Sequence, residues 1–209
     1  MKQAVDHLVW ATPDLETGIE QMADLLGVRP MEGGAHPEFG TRNALLSLGS
    51  ATYLEIIGPD SEQSSFEGKR WFGIDTLLEP RLVTWAVPTA DIYALLERAA
   101  SIGLDLGEVK RGSRRKPDGA TLRWKLTASA ELRAGGLIPF FIDWEGSSHP
   151  AGSAPAAGSL LSVRAHHPHP QALSKVLSAL GIEILVKKAE RPFLTAVIQK
   201  PDGSEIELK

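Results

Sequence analysis

Apolar positions recur along the chain with two spacings, one that suits helices and one that suits strands. Three segments, 12–27, 87–103 and 168–181, place them three and four residues apart, with Pro near the start and Gly at the end. A short apolar run precedes each segment, and three further strand-like runs follow it, separated by turn residues. The pattern therefore predicts three successive βαβββ units.

The predicted strands divide the chain into three units and two connections. Strands are expected at 5–11, 28–32, 41–48, 52–57, 82–87, 106–110, 121–127, 137–144, 160–165, 182–188, 193–199 and 205–208. A Pro-Asp-Gly turn at 117–119 separates two of them. The chain then divides, in order, into first unit, linker, second unit, flexible connector and third unit: 1–60, 61–80, 81–146, 147–158 and 159–209.

Composition narrows the classes of function. The 209 residues include no cysteine, which excludes disulfides, thiolate nucleophiles, zinc fingers and iron–sulfur clusters, so a metal site would need His, Asp and Glu. The formal net charge of -4 argues against general affinity for nucleic acid. No run of about 18 apolar residues predicts a membrane span, and a charged residue comes too early for a signal peptide. We therefore expect a cytoplasmic protein.

Two polar residues stand out because each lies within an otherwise apolar strand. His7 lies in the run 4–9 and Glu55 in the run 52–57, and each shares a strand face with apolar neighbours. Such a side chain needs a partner, since burying it alone costs about 1–3 kcal/mol. A divalent metal, a substrate or each other would satisfy the pair. A hydrogen-bonded core histidine is the alternative.

The glycine-rich segment 33–43 holds three candidate ligand-binding side chains. Its glycines let the backbone approach a ligand closely. His36, Arg42 and Asn43 could bind a carboxylate or carbonyl oxygen, and Arg42 could do so with two parallel hydrogen bonds. The alternative is an ordinary glycine-rich hairpin with Arg42 in water.

Aromatic and basic residues add further candidates. Trp85, Trp124 and Trp144 either line a cup and stack on a planar substrate or pack in the core. His149, at the start of the connector, could lie over the mouth of a pocket. The basic run 110–116 either attracts an anionic substrate or forms a solvated hairpin tip.

Five stretches of the sequence carry a family resemblance, at residues 6–16, 36–49, 53–60, 117–124 and 138–150. They resemble the vicinal oxygen chelate superfamily, to which glyoxalase I, the extradiol dioxygenases and the bleomycin-resistance proteins belong. Their amino-acid sequence is most similar to that of glyoxalase-like domain proteins. The third unit resembles the same family by its pattern of elements. The resemblance implies an α+β fold in which repeated βαβββ units form mixed, curved sheets and a glyoxalase-like cup.

In that superfamily, the first and last strands of each paired unit hold a metal inside the cup. The resemblance therefore implies that His7 and Glu55 are metal ligands. The second unit has no His on its first strand, and its last strand places Asp143 where Glu55 lies. Either Asp143 or His36 would then be the third ligand. These nitrogen and oxygen ligands suit Zn, Ni, Mn, Co or Fe, and no organic cofactor is predicted.

The resemblance implies a small-molecule ligand and leaves three functions open. The first is a metal-dependent lyase or isomerase of a small oxygenated molecule, with Glu55 or Asp143 moving the proton. An Fe(II) dioxygenase that uses His7, His36 and Glu55 is a variant of it. The second function is metal-free binding of a small molecule, as in resistance-type proteins. The third is a degenerate interaction module, in which the third unit covers what would otherwise be a dimer interface or a sheet edge. In each case we expect the third unit either to cap an edge or to pair with a neighbouring chain, which would give a homodimer.

Overall fold

Three βαβββ units follow one another in the computed structural model, which describes residues 4–63, 65–115, 121–129 and 131–209. The predicted turn at 117–119 lies outside these residues. The first unit consists of β1 (His7–Ala11), α1 (Leu15–Leu26), β2 (Met31–His36), β3 (Thr41–Ser47) and β4 (Tyr53–Pro59). The second consists of β5 (Arg81–Pro88), α2 (Ile92–Ser101), β6 (Glu108–Arg115), β7 (Thr121–Ala128) and β8 (Phe140–Asp143). The third consists of β9 (Ser159–His167), α3 (Pro170–Ala179), β10 (Leu185–Lys188), β11 (Phe193–Gln199) and β12 (Glu205–Leu208).

Helix α1 shows why the helices form where the sequence predicts them. The carboxylate of Asp14 caps its N-terminus by accepting a hydrogen bond from the Thr17 N–H at 2.7 Å. Gly27 ends the helix in the left-handed conformation, with φ of 75°, and donates its N–H to the Ala23 carbonyl. Asp91 caps α2 in the same way. None of the helices in the described ranges is long and apolar enough to cross a membrane.

The first two units form one curved sheet of eight strands in the order β2-β3-β4-β1-β5-β8-β7-β6. Strands β1 and β5 pair antiparallel at its centre, so the two units meet edge to edge with matching strand orders. Within each unit the first strand runs parallel to the last, β1 to β4 and β5 to β8. The predicted α+β fold with a mixed, curved sheet and a glyoxalase-like cup is confirmed.

Alternate residues of the central strand β1 face opposite sides of this sheet. Leu8 and Trp10 belong to the main core, on the side that the helices cover. His7 lines a cavity on the other side, and Val9 packs there in a smaller cluster with Ile57. The alternation expected of a strand therefore separates a packed face from a concave face that is open to ligands.

The third unit has the same order of elements but a different pairing of strands. Its sheet runs β10-β9-β11-β12, so its first strand lies inside the sheet instead of at one end of the unit. Strand β10 is parallel to β9, as the crossover through α3 allows. Val163, Leu194 and Ile198 belong to the same core as Leu8 and Trp85. The third unit is therefore packed into the core of the first two.

Candidate functional site

A cavity of about 300 Å³ lies on the concave face of the eight-stranded sheet. Strands of both units, the β2–β3 hairpin and the linker between the units form its wall. Its polar and indole side chains include those of His7, His36, Asn43, Glu55, Trp124 and Trp144. The fold thus gathers residues that are up to 143 positions apart in the sequence, from His7 to Pro150, around one space.

His7 and Glu55 face this cavity from neighbouring strands. Strands β1 and β4 are parallel, with Val9 opposite Glu55, and His7 lies on the same face of β1 as Val9. His7 Nε2 is 3.8 Å from Glu55 Oε2. Both residues are buried, with 3% and 8% of their surfaces exposed. One small molecule in the cavity can therefore contact both groups.

Asp6 supports His7 from behind. Its Oδ1 accepts a hydrogen bond from His7 Nδ1 at 2.7 Å, and its Oδ2 accepts one from Trp144 Nε1 at 2.8 Å. Oδ2 also lies 3.2 Å from Nε2 of His149. Burial by itself raises the pKa of Asp6, but the hydrogen bonds from His149, His7 and Trp144 and the charge of His7 outweigh it. The pKa of this carboxyl group is therefore held well below its usual range.

These contacts decide which ring nitrogens carry protons. An ionised Asp6 only accepts hydrogen bonds, so both histidines must present N–H groups to it. His149 Nδ1 accepts from the Ala151 N–H at 3.2 Å, which leaves its Nε2 to carry the proton that faces Asp6. His7 likewise carries its proton on Nδ1, so its Nε2 is the unprotonated nitrogen toward Glu55 when the ring is neutral.

Aromatic rings hold the imidazole of His7 in place. The ring of Tyr53 stacks on it, with centroids 4.5 Å apart and an interplanar angle of 17°. Phe140 meets it edge-on at 5.2 Å. His149 in turn contacts both Tyr53 and Trp144, each with centroids 5.6 Å apart. The connector residue predicted to lie near the pocket mouth thus lies behind the cavity wall, next to Asp6.

Asn43 and His36 form the other polar wall of the cavity. Asn43 Nδ2 donates to Glu55 Oε1, and its Oδ1 accepts from the Gly34 N–H at 2.9 Å, which settles the orientation of the amide. His36 Nδ1 lies 3.1 Å from Thr41 Oγ1, and its Nε2 lies 3.5 Å from Asn43 Nδ2. Asn43 therefore positions Glu55. His36 lies beside Asn43, at the edge of the pair formed by His7 and Glu55.

Two other predicted ligand-binding residues lie away from the cavity. Arg42 faces Asp60 and Glu62, with nitrogen-to-oxygen distances of 3.8 and 3.4 Å. Trp85 is fully buried in the main core, where its Nε1 donates to the Leu137 carbonyl at 3.1 Å. Both positions follow from strand alternation, because each residue is next in sequence to one that faces the cup.

The second unit places a threonine where the first unit has His7. His7 and Thr84 stand at the same spacing before the helix caps Asp14 and Asp91. The hydroxyl of Thr84 donates to the Gly136 carbonyl at 3.1 Å. Its donor is thus engaged by the backbone.

The counterpart of Glu55 is Phe140. Glu55 is paired with Val9 of the central strand, and Phe140 is paired with Ala86, which corresponds to Val9 by the same spacing. Asp143 is three residues further along, outside the cavity lining, where it accepts a backbone N–H at 2.9 Å. The register therefore places an aromatic ring, and no carboxylate, at this position of the second unit.

Asp6 is the functional residue that the sequence reasoning missed. Adjacent residues on a regular strand face opposite sides, so strand alternation gives no reason to place Asp6 against His7. Asp6 precedes the regular part of β1, and its side chain reaches the ring of His7. The available signal was an acid beside a histidine inside an apolar run, since a buried carboxylate requires hydrogen-bond donors.

The basic run contributes two cationic residues to the cavity lining. Lys110 and Arg111 belong to its lining. Lys110 Nζ also lies 5.3 Å from the centroid of the Phe39 ring, another wall residue. The run ends at Lys116, which lies outside the described residues. Positive charge therefore lies in the cavity wall, next to Phe39.

Comparisons with known proteins add a family and a set of folds. Residues 5–181 match the sequence profile of a family described as a glyoxalase-like domain. The structure is similar to that of a hypothetical protein from Staphylococcus aureus, at 17% identity, with 98% of each chain covered and a TM-score of 0.66. No curated protein matches the sequence.

Two epimerases show weaker likenesses. Methylmalonyl-CoA epimerase from Mycobacterium tuberculosis is 24% identical over 67% of this chain and 87% of its own, with a TM-score of 0.44. A Streptomyces coelicolor methylmalonyl-CoA epimerase in complex with 2-nitronate-propionyl-CoA is 20% identical over 72% of this chain and 100% of its own, with a TM-score of 0.45.

Proposed function

The chain belongs to the glyoxalase-like domain family of the vicinal oxygen chelate superfamily, and we propose that it is an isomerase or lyase that moves a proton on a small oxygenated molecule. The observation that carries the proposal is the pair of His7 Nε2 and Glu55 Oε2, 3.8 Å apart at one cavity wall. Two proton-transfer groups that reach the same ligand can remove a proton at one atom and deliver another elsewhere.

His7 is the proposed base. Because Asp6 holds its Nδ1 proton, the lone pair of Nε2 is directed toward the cavity. A C–H group next to a carbonyl would give its proton to Nε2, and the electron pair of that bond would form an enolate. The imidazolium ion would then lie between the carboxylates of Asp6 and Glu55, which favour its positive charge.

Glu55 is the proposed second proton carrier. Asn43 donates to one of its oxygens, and the other is the atom 3.8 Å from His7. For a hydroxycarbonyl compound, Glu55 would transfer the hydroxyl proton to the carbonyl oxygen. The imidazolium of His7 would return its proton to the neighbouring carbon. The product would be an isomer, with no atom or electron gained or lost.

The resemblance also predicts a divalent metal, and the donor set permits a test of that prediction. His7 and Glu55 could bind one ion together, but Thr84 and Phe140 stand where the second unit would supply further ligands. No group of three or more His, Asp or Glu side chains suited to an ion occurs in the described ranges. Catalytic zinc sites generally use three protein ligands. The residues do not fit such a centre, and the proposed steps use none.

Hydrogen exchange into the substrate tests this proposal. The protein would be incubated in D₂O with a panel of hydroxyketones and hydroxyaldehydes, and exchange at the carbon next to the carbonyl would be followed by NMR. We expect exchange in at least one compound, reduced about 10²-fold or more in His7→Gln and in Glu55→Gln. The matched controls His166→Gln and Glu207→Gln, in the third unit, should retain it. Exchange in no compound, or undiminished exchange in His7→Gln, would overturn the proposal.

Metal-free binding is the second candidate function, and the aromatic wall favours it. Trp124 and Trp144 both line the cavity with ring centroids 5.7 Å apart, and Tyr53 and Phe140 flank His7. Such a wall suits a planar ligand. Quenching of tryptophan fluorescence by a planar compound, without any exchange in D₂O, would favour this function over catalysis. The cytoplasmic location and the homodimer stay predictions.

A further inference from the structure

A second cavity, of about 290 Å³, lies in the half of the cup that the second unit builds. It shares Trp71, Phe72, Leu126 and Phe140 with the first cavity, so these side chains form a common wall. None of its lining residues comes from the first unit. His7 and Glu55 do not line it, so a ligand bound there would be recognised by other groups than a ligand in the first cavity.

Most of this second cavity is apolar. Leu106, Leu132 and Ile138 line it beside the aromatic wall. The hydroxyls of Thr84 and Thr127 also lie there, but the first donates to a backbone carbonyl and the second accepts a backbone N–H. Hydrogen bonds to a ligand must therefore come chiefly from other groups.

Arg133 supplies a cation to the second cavity. Its Nη2 donates to Asp105 at 3.1 Å, but the side chain of Asp105 is 78% exposed, so water and salt screen the pair. Its Nε is buried and has no hydrogen-bond partner in the described part of the chain. That nitrogen is closed to solvent, but 35% of the Arg133 side chain is exposed and the residue lines the cavity, so the accessible part of its guanidinium can pair with an anionic group of a ligand.

The backbone around this cavity is held in disfavoured conformations. Arg133 is followed by Ala134, whose φ of 49° lies in the left-handed region, and Phe72 of the common wall has φ of 59°. Side chains with a Cβ rarely adopt this region, and such strain persists where the surroundings enforce it. Backbone in the left-handed region therefore lies directly after the cation and within the aromatic wall.

We propose that this second cavity binds a small molecule that joins a carboxylate to an apolar chain. The carboxylate would accept hydrogen bonds from the accessible N–H groups of the Arg133 guanidinium, and the chain would contact Leu132, Ile138 and Phe140. Glu131 also borders the cavity, but it is exposed to water, so its charge is screened. The site goes beyond the proposed proton transfer and does not depend on it.

Calorimetric titration with octanoate and with 1-octanol in 0.15 M salt tests this site. We expect the protein to bind octanoate at least about tenfold more tightly than the neutral alcohol, because only octanoate pairs with Arg133. Arg133→Gln should abolish the preference. Arg111→Gln, which removes a cation from the first cavity, should retain it. Equal affinity for the two compounds, or a preference that survives in Arg133→Gln or disappears in Arg111→Gln, would contradict the proposal.

A second variant keeps the test decisive if Arg133→Gln does not fold. Asp105→Asn changes an exposed side chain and releases Arg133 from its competing carboxylate. Octanoate should then bind about threefold or more tightly than to the unaltered protein, while octanol binding stays the same. Unchanged or weaker binding of octanoate would count against the site.

Discussion

The two halves of the cup are built on the same strand order but carry different side chains at corresponding positions. The first half has His7 and Glu55, and the second has Thr84 and Phe140. The hydroxyl of Thr84 donates a hydrogen bond to a backbone carbonyl, and Phe140 needs no polar partner. The first half instead buries two ionisable groups that face a cavity. The duplicated backbone therefore provides two concave sites, and the first of them holds a buried histidine and a buried carboxylate.

His7 and Glu55, the buried ionisable groups of the first half, need hydrogen-bond partners, and further residues supply them. Asp6 holds His7 by a hydrogen bond of 2.7 Å, and Asn43 holds Glu55. Asp6 also receives the indole N–H of Trp144, which comes after the last strand of the second unit. Both units thus contribute to the support of one site. A residue that acts in one half can be stabilised by the other only after the chain has folded.

The largest expected effect comes from giving the second half the residue types that the first half has at the corresponding positions. In Thr84→His/Phe140→Glu, four nitrogen and oxygen donors would stand on the first and last strands of both units. We expect the affinity for Zn²⁺ or Ni²⁺, measured by calorimetry, to rise at least about 100-fold over that of the unaltered protein. The single variants should gain less. Unchanged affinity in a folded double variant would show that the two halves do not share one geometry.

Removing the charge of Asp6 should lower the stability of the protein more than removing the charge of an acidic residue in the second half. We expect Asp6→Asn to lower the free energy of unfolding at pH 7 by about 1–3 kcal/mol, because the hydrogen bonds to His7 and His149 weaken. Since folding lowers the pKa of Asp6 from 3.8, its carboxylate stabilises the fold above that pH and loses this contribution as the pH falls below it.

The difference between the unaltered protein and Asp6→Asn should therefore shrink as the pH is lowered from 5 toward 2. Urea unfolding at several pH values measures it. The matched variant Asp143→Asn, in the second half, should change stability by no more than about 0.5 kcal/mol at each pH. A constant difference for Asp6→Asn over the whole range would contradict the network.

The smallest expected effect concerns Arg42, which is next to Asn43 in sequence but faces Asp60 and Glu62. The side chain of Glu62 is 75% exposed, and the buried Asp60 keeps its hydrogen bonds from the Glu62 N–H and the Gln63 amide, so Arg42→Ala should lower stability by less than about 1 kcal/mol. Exchange in D₂O and ligand affinity should not change. A large loss of either would show that Arg42 turns into the cavity when a ligand binds.

The order of helices and strands follows from the sequence because it depends on local physics. Periodicity and end signals such as Asp14 and Gly27 act within a few residues of one another. The pairing of strands does not follow in the same way. The third unit shares the βαβββ order, yet β9 lies inside its sheet, because that choice depends on which apolar surfaces meet in the core.

Part of the candidate site could also be predicted. His7 and Glu55 are polar interruptions of apolar strands, and the structure brings them to one cavity wall. The three tryptophans could not be separated by sequence, because an indole suits a core and a cavity equally. Trp85 lies in the core, while Trp124 and Trp144 line the cavity.

The sequence by itself determined the elements, their order and, in His7 and Glu55, two of the residues that needed partners. Only the tertiary structure decided the partners. It placed Asp6 against His7, and it set the register that makes Phe140 the counterpart of Glu55. The physical reason is the distance along the chain over which each effect acts. Propensity and periodicity operate over a few residues, whereas burial, hydrogen bonding of a charge and strand register depend on groups far apart in the chain, such as Asp6 and Trp144.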